Sequence, residues 1–178
     1  RRAIRAGVKS IEHGQLIDEP TMKLIAEKGV WLSMQPFIGE GNNHYTNPVQ
    51  QAKHELVVQG TDRAYQLAKK YGVKLAWGTD LLFSPANARN QNLNIEKMTR
   101  WFSNFEILKM ITHDNAELLA LSGRRNPYPG KLGVIEEGAL ADLIVVDGNA
   151  LEDIKVLTDP GKNMLLIMKD GKIYKNDL

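Results

Sequence analysis

Gly7-Val8-Lys9-Ser10-Ile11-Glu12-His13-Gly14 is the stretch on which the reading of the fold turns. Apolar Val8 and Ile11 lead into a histidine, and a glycine follows it. A buried strand has this form when its last residue delivers a side chain into a cleft and the backbone then turns sharply. A second stretch, Val73-Lys74-Leu75-Ala76-Trp77-Gly78-Thr79-Asp80, has the same build and ends in an aspartate. An imidazole and a carboxylate at two strand ends are suitable parts for a hydrolytic metal site, though too few to complete one.

The residues between these stretches punctuate a regular alternation. Upstream, Arg1 to Gly7 reads as the last turns of a helix closed by a glycine, so the chain opens in the middle of an element. Asp18 is a good N-cap, with Glu19 and Pro20 in the first turn behind it. Met22, Ile25 and Ala26 fall on one helical face, and Gly29 stops that helix. A strand over residues 30–34 is closed by Pro36, and an irregular segment rich in glycine and asparagine fills residues 37–48. A helix over residues 49–71 carries the stripe Ala64, Leu67, Ala68 and Tyr71, and Gly72 caps it. Beyond Asp80 come a polar loop at residues 84–94 and helical periodicity in Phe105, Leu108, Lys109 and Thr112. A further helix spans residues 115–121, with Asp114 as its expected N-cap. Three rounds of strand and helix predict βα units on a parallel sheet.

The character changes after Pro129-Gly130. Residues 131–138 are turn-rich, residues 141–147 are a strong β run, and Asp170-Gly171 is a type I′ hairpin signal between two further strands. We place the domain change near residue 125, giving domains 1–125 and 126–178.

Composition narrows the function classes. Of 178 residues, 43% are apolar and 25% charged, an ordinary globular balance. The net charge of +2 comes from interspersed residues with no basic block, which argues against a nucleic-acid partner. No apolar run approaches the roughly 20 residues needed to cross a bilayer. The absence of cysteine removes disulfides, thiolate metal sites and cysteine nucleophiles together.

Each singled-out residue has a functional and a plain reading. His13 is either a self-satisfied core or capping histidine or a ligand placed by its strand end. Asp80 is either a loop or N-cap aspartate or a carboxylate that binds a metal and accepts a proton. His44, beside Tyr45 in the 37–48 loop, is either solvated or in contact with substrate. His54 and His113 carry no ligand-like spacing and read as structural or surface residues. Glu12 points to the face opposite His13 and reads as a supporting or helix-packing residue. Trp31, Trp77 and Trp101 read as packing anchors.

Taken in order, these motifs resemble the C-terminal part of the metal-dependent amidohydrolase superfamily. Ser10-Ile11-Glu12-His13-Gly14 resembles its sixth barrel strand, whose histidine is a metal ligand. Leu75-Ala76-Trp77-Gly78-Thr79-Asp80 resembles the eighth strand, whose aspartate binds metal and shuttles a proton. Residues 107–116 are similar to the helix that follows. Residues 130–147 resemble the return into a small β-sandwich domain, and residues 168–174 its closing hairpin. Ser-Ile-Glu-His-Gly looks most like the prolidase and imidazolonepropionase-like branch.

The resemblance implies an α/β fold: the C-terminal part of a (β/α)8 TIM barrel, strands 6–8 with their helices, then part of the β-sandwich. It implies hydrolysis of a peptide or cyclic amide C–N bond in a small-molecule amide or dipeptide, with one or two zinc ions. His13 and Asp80 would be metal ligands, Asp80 the proton shuttle, and His44 a substrate-binding residue. The family's His-x-His pair, bridging lysine or glutamate and fifth-strand histidine have no counterpart in this sequence, and a full barrel needs roughly 200 residues or more. The chain therefore reads as a C-terminal fragment with exposed strand edges. Its expected partner is a complementing N-terminal half or a second copy in a homo-oligomer, with no nucleic acid and no membrane. Any targeting region would lie in the missing part, and the expectation leans to the cytoplasm. The rival expectation is a catalytically incomplete structural or assembly module. A phosphate-binding half-barrel is a weaker third reading, because no strand end carries a glycine-rich phosphate loop.

Overall fold

Helix stops and strand-forming runs alternate in the first 80 residues, and parallel pairing is what they produce. The computed structural model of the chain describes residues 1–39, 45–81 and 85–178. His44 lies outside the described residues. The described chain forms two compact units, Arg1–Gly78 and Thr79–Leu178. None of its helices is long and apolar enough to cross a membrane.

The first unit holds β1 (Ser10–Glu12), β2 (Trp31–Met34) and β3 (Leu75–Trp77), paired in parallel in that order. Ser10 pairs with Trp31, and Leu32 with Leu75. A short helix, α1 (Arg2–Arg5), precedes β1; α2 (Glu19–Lys28) and α3 (Pro48–Tyr71) make the two crossovers. Their ends follow the sequence signals. The Asp18 carboxylate accepts the Thr21 N–H at 3.0 Å, and the Asn47 side chain accepts the Val49 N–H at 2.9 Å. Gly29 and Gly72 close the two helices in the left-handed conformation.

Every residue of β2 is buried, as befits the middle strand of a parallel sheet covered on both faces. Met22 and Ile25 of α2 are fully buried, as are Ala64, Tyr65 and Ala68 of α3. The strands are shorter than their apolar runs suggested, but pairing continues past β1. The His13 N–H donates to the Ser33 carbonyl at 2.8 Å, and the Gly78 N–H to the Met34 carbonyl at 3.3 Å.

The second unit differs more from the sequence expectation. Residues 84–94 were expected to be a loop, yet they contain α4 (Pro85–Arg89), and α5 (Leu93–Lys97) starts within them. Next, α6 (Asn104–Lys109) and α7 (Asn115–Ala120) are joined through a π turn at Met110–Asp114, so the helix runs on where a break was expected. Asp114 is consequently not an N-cap. Its backbone is helical, and its carboxylate accepts from Lys109 Nζ and lies 2.9 Å from His113 Nδ1. Ser103 is the true cap, in a reciprocal capping box with Glu106.

The remaining elements are β4 (Leu143–Val146), α8 (Pro160–Asn163), β5 (Met164–Lys169) and β6 (Lys172–Asn176). The three strands pair antiparallel in that order. Asp170 and Gly171 between β5 and β6 both have positive φ, 49° and 73°, as a type I′ turn requires. Ile95, Met98, Phe102, Ile107, Met110, Ile154 and Leu157 are this unit's main buried apolar residues. Outer strand β4 exposes Ile144 and Val145.

Two predictions follow from the first unit's packing. A Cβ on Gly60, inside α3, would be driven into the carbonyl oxygen of Gln15 and would sit 2.9 Å from Leu16 Cδ2. Alanine normally gains about 1 kcal/mol over glycine in a helix, whereas overpacking costs about 1–3 kcal/mol. The rigid carbonyl makes the clash dominate, so Gly60→Ala is expected to lower the urea midpoint rather than raise it.

The second concerns acid. Glu19 accepts from Lys70 Nζ at 2.8 Å and from the Tyr71 hydroxyl, clamping α2 to α3. The Lys70 hydrogen bond, then the Tyr71 one, holds the Glu19 carboxyl at about 2 against an ordinary 4.5. A depressed carboxyl contributes its stability above the unfolded value and loses it as pH falls through the folded one. Tm should therefore decline between pH 4.5 and about 2 in the native chain. Glu19→Gln should be less stable at neutral pH and converge with it at the acid end. Because the group is exposed, the difference should shrink in salt.

Candidate functional site

Parallel strands bring their carboxyl ends to one edge of a sheet, and that edge is where βα folds place chemistry. In the first unit the residues there are His13 after β1 and Gln35 after β2. Asp80 follows β3 in the chain and belongs to the second unit.

His13 is exposed, with φ at 70°. A non-glycine residue there is sterically disfavoured by roughly 1–2 kcal/mol and persists only where surrounding contacts over-determine it. Those contacts are identifiable. The backbone N–H is paired to Ser33, as above, and Gly14, with φ at 81°, carries the turn onward. The Ile17 N–H donates back to the Gly14 carbonyl at 3.0 Å. A Cβ on Gly14 would sit 2.6 Å from Leu32 Cδ1, so the turn lies directly on the central strand.

The His13 ring is held as well. Its Nδ1 lies 2.9 Å from Gln35 Oε1, and Gln15 Nε2 donates to the same oxygen at 3.1 Å. Both glutamines are buried, at 6% and 7% exposure, so their pairing is not exchanged freely with water. A flip of the Gln35 amide alone would set its Nε2 donor against the Gln15 Nε2 donor, at about 1–3 kcal/mol for a buried group left unsatisfied. Gln35 is fixed from its own side too. Pro36 confines it to extended backbone, and the Phe37 N–H donates to its carbonyl at 3.0 Å across that proline.

Asp80 is exposed and has φ at 54°. Among the described residues His13, Asp80 and the hairpin residue Asp170 are the non-glycine positions with positive φ. Two of the three are the proposed metal ligands. Glu12 is exposed beside His13. His54 stacks obliquely on Tyr45, with ring centroids 5.4 Å apart. His113 is engaged with Asp114, as above.

Imidazole and carboxylate are donor types that suit zinc and neighbouring divalent metals. Among the described residues, however, no three His, Cys, Asp or Glu side chains stand close enough to hold an ion. A catalytic zinc typically takes three protein ligands. The donor chemistry fits a metal, and the donor count falls short.

Gln15 and Gln35 were not singled out from the sequence. The reasoning that selected His13, a polar residue at the end of a strand, selects Gln35 when applied to residues 30–36. Gln15 carries no such mark.

Comparison with known proteins places the arrangement in context. Residues 1–174 match the amidohydrolase family. The chain is 33% identical over 177 residues to ochratoxinase of Aspergillus niger, covering 97% of this chain and 35% of that protein. A crystal structure of an amidohydrolase superimposes with a TM-score of 0.83 at 34% identity, covering 99% of this chain and 42% of the other. A prolidase complexed with N-methylphosphonate-L-proline gives 0.82 at 33% identity, covering 98% and 42%. The chain thus spans about a third of the length of the curated relative.

The left-handed backbone at His13 gives a direct test. Glycine relieves the Cβ clash, worth about 1–2 kcal/mol, against about 0.4–1 kcal/mol of added unfolded-state entropy. Both His13→Gly and His13→Ala lose the ring, so His13→Gly should be the more stable by about 0.5–1 kcal/mol in urea unfolding. Equal stabilities would contradict the constrained backbone.

Proposed function

Because the chain belongs to the amidohydrolase family, which it matches over residues 1–174, we propose that it is the C-terminal part of a metal-dependent hydrolase. The reaction is cleavage of a C–N bond in a small peptide, dipeptide or cyclic amide. In this reading residues 1–125 are the last three βα units of a (β/α)8 barrel, and residues 126–178 are part of a small β-sandwich domain. The observation that carries it is the left-handed backbone at both His13 and Asp80, the two positions the family resemblance marks as ligands. The likeness to a prolidase and to an ochratoxinase supports an amide or peptide substrate.

His13 and Asp80 would hold one or two zinc ions together with donors from the rest of a protein of the relatives' length. Zinc bound there supplies Lewis-acid polarisation of the scissile carbonyl. Asp80 accepts a proton from the attacking water as the C–O bond forms, and returns it to the leaving nitrogen as the C–N bond breaks. His44 contacts the substrate.

A second reading concerns the 178-residue chain by itself: a catalytically incomplete assembly module. It is favoured by the shortfall of donors among the described residues and by the exposed Ile144 and Val145 on outer strand β4. Such an edge suits pairing with a complementing N-terminal half or another copy.

One experiment separates these readings. The chain is mixed with the matching N-terminal half and zinc, and dipeptide hydrolysis is followed. Activity should appear on mixing, and Asp80→Asn should lower kcat by about 10²–10⁴-fold. Full activity in that variant would remove the proton-transfer role. Calorimetry should show no tight zinc binding by the chain alone; stoichiometric binding would contradict the incomplete-module reading.

A further inference from the structure

The ring of His13 can carry its proton on either nitrogen when neutral, and only the nitrogen without the proton can donate a lone pair. We propose that Gln35, anchored by Gln15, is a positioning residue that fixes His13 as the Nδ1–H tautomer and so makes Nε2 its donor atom. The inference rests on the reading of His13 as a metal ligand.

A carbonyl oxygen can only accept, so the 2.9 Å contact at Gln35 Oε1 requires the proton to be on Nδ1. The second lone pair of the same oxygen is taken by Gln15 Nε2 at 3.1 Å. Two donors converging on one oxygen fix the amide's orientation more firmly than either does alone. Gln15 is fixed in turn, because its backbone carbonyl lies against Gly60 of α3. Arg63 Nη2, one turn along, reaches the Ile17 carbonyl at 3.4 Å. The chain of contacts therefore runs from the crossover helix through two buried amides to one ring nitrogen.

The use of an amide matters. Metal-binding histidines commonly pass their other N–H to a carboxylate or a carbonyl. A carboxylate would also favour the imidazolium, which has no lone pair to donate. The neutral Gln35 orients the ring without placing a negative charge beside it.

The test reads the tautomer directly, in the metal-free chain. Long-range proton–nitrogen NMR correlations are recorded at about pH 8.5, well above the ordinary imidazole value of about 6.5. The chain has four histidines, and the His13 signals are assigned by their loss in His13→Asn. The native chain should show the Nδ1–H pattern. Gln35→Leu should lose it and revert to the Nε2–H form that free imidazole side chains prefer in water. Gln35→Glu, which keeps an acceptor oxygen, should retain it, and Gln15→Leu should weaken it. An Nε2–H pattern in the native chain would overturn the proposal. So would an unchanged Nδ1–H pattern in a Gln35→Leu protein whose fold is intact by circular dichroism. Should Gln35→Leu not fold, the native and Gln35→Glu spectra decide. The Nδ1–H pattern together with no zinc-dependent activity in the complementation assay would remove the ligand reading and leave the positioning role standing.

Discussion

How closely α3 can approach the turn after β1 governs the carboxyl-end edge of the first unit's sheet. Gly60 is the point of contact, and the absence of a Cβ there lets the Gln15 carbonyl rest on the helix. Glycine inside a helix costs about 1 kcal/mol against alanine, so a purely local optimum would place something else there. The tertiary contact overrides the local preference. With the Gln15 backbone seated, its side chain is buried and its amide donates to Gln35. The orientation of His13 is thus a consequence of helix packing several contacts away.

The backbone at the strand ends tells a related story. The left-handed conformation at His13 is locally unfavourable, and the fold holds it with ordinary devices. At His13 those are an extra ladder bond to Ser33, a glycine behind it and a ring tied to Gln35. Glycine would satisfy the backbone at lower cost, so the backbone alone does not account for a histidine at this position. The same conformation at Asp170 needs no such reading, because a type I′ turn demands it and aspartate tolerates it well.

These examples mark what is legible in a sequence. The parallel βα alternation, the caps at Asp18, Gly29 and Gly72, and the Asp170-Gly171 hairpin could be read because each rests on residues close in the chain. His13 and Asp80 could be marked as strand-end residues for the same reason. The π turn at Met110–Asp114 could not, because it replaces one helical bond pattern with another and changes no periodicity a short window can resolve. Asp114 followed by helix-forming residues looks like a cap whether or not the preceding helix has ended. The small helices at Pro85–Arg89 and Leu93–Lys97 are too short to show an apolar stripe. The Gln15–Gln35–His13 contact joins residues about twenty positions apart, and only the β1–β2 register brings them together.

Orientation and occupancy of a metal site are separable demands. Occupancy needs donors enough to replace water, and the described residues do not assemble three. Orientation of one ligand needs only a rigid local frame, and every part of that frame lies within the first unit. His13 requires Ser33, Gln35, Gln15 and Gly60, none of them a donor to the metal in the family resemblance. In the proposed site one ligand would be aimed before the others arrive, which would lower the ordering that binding must still supply. The imidazole therefore depends for its direction on the packing of its own crossover helix.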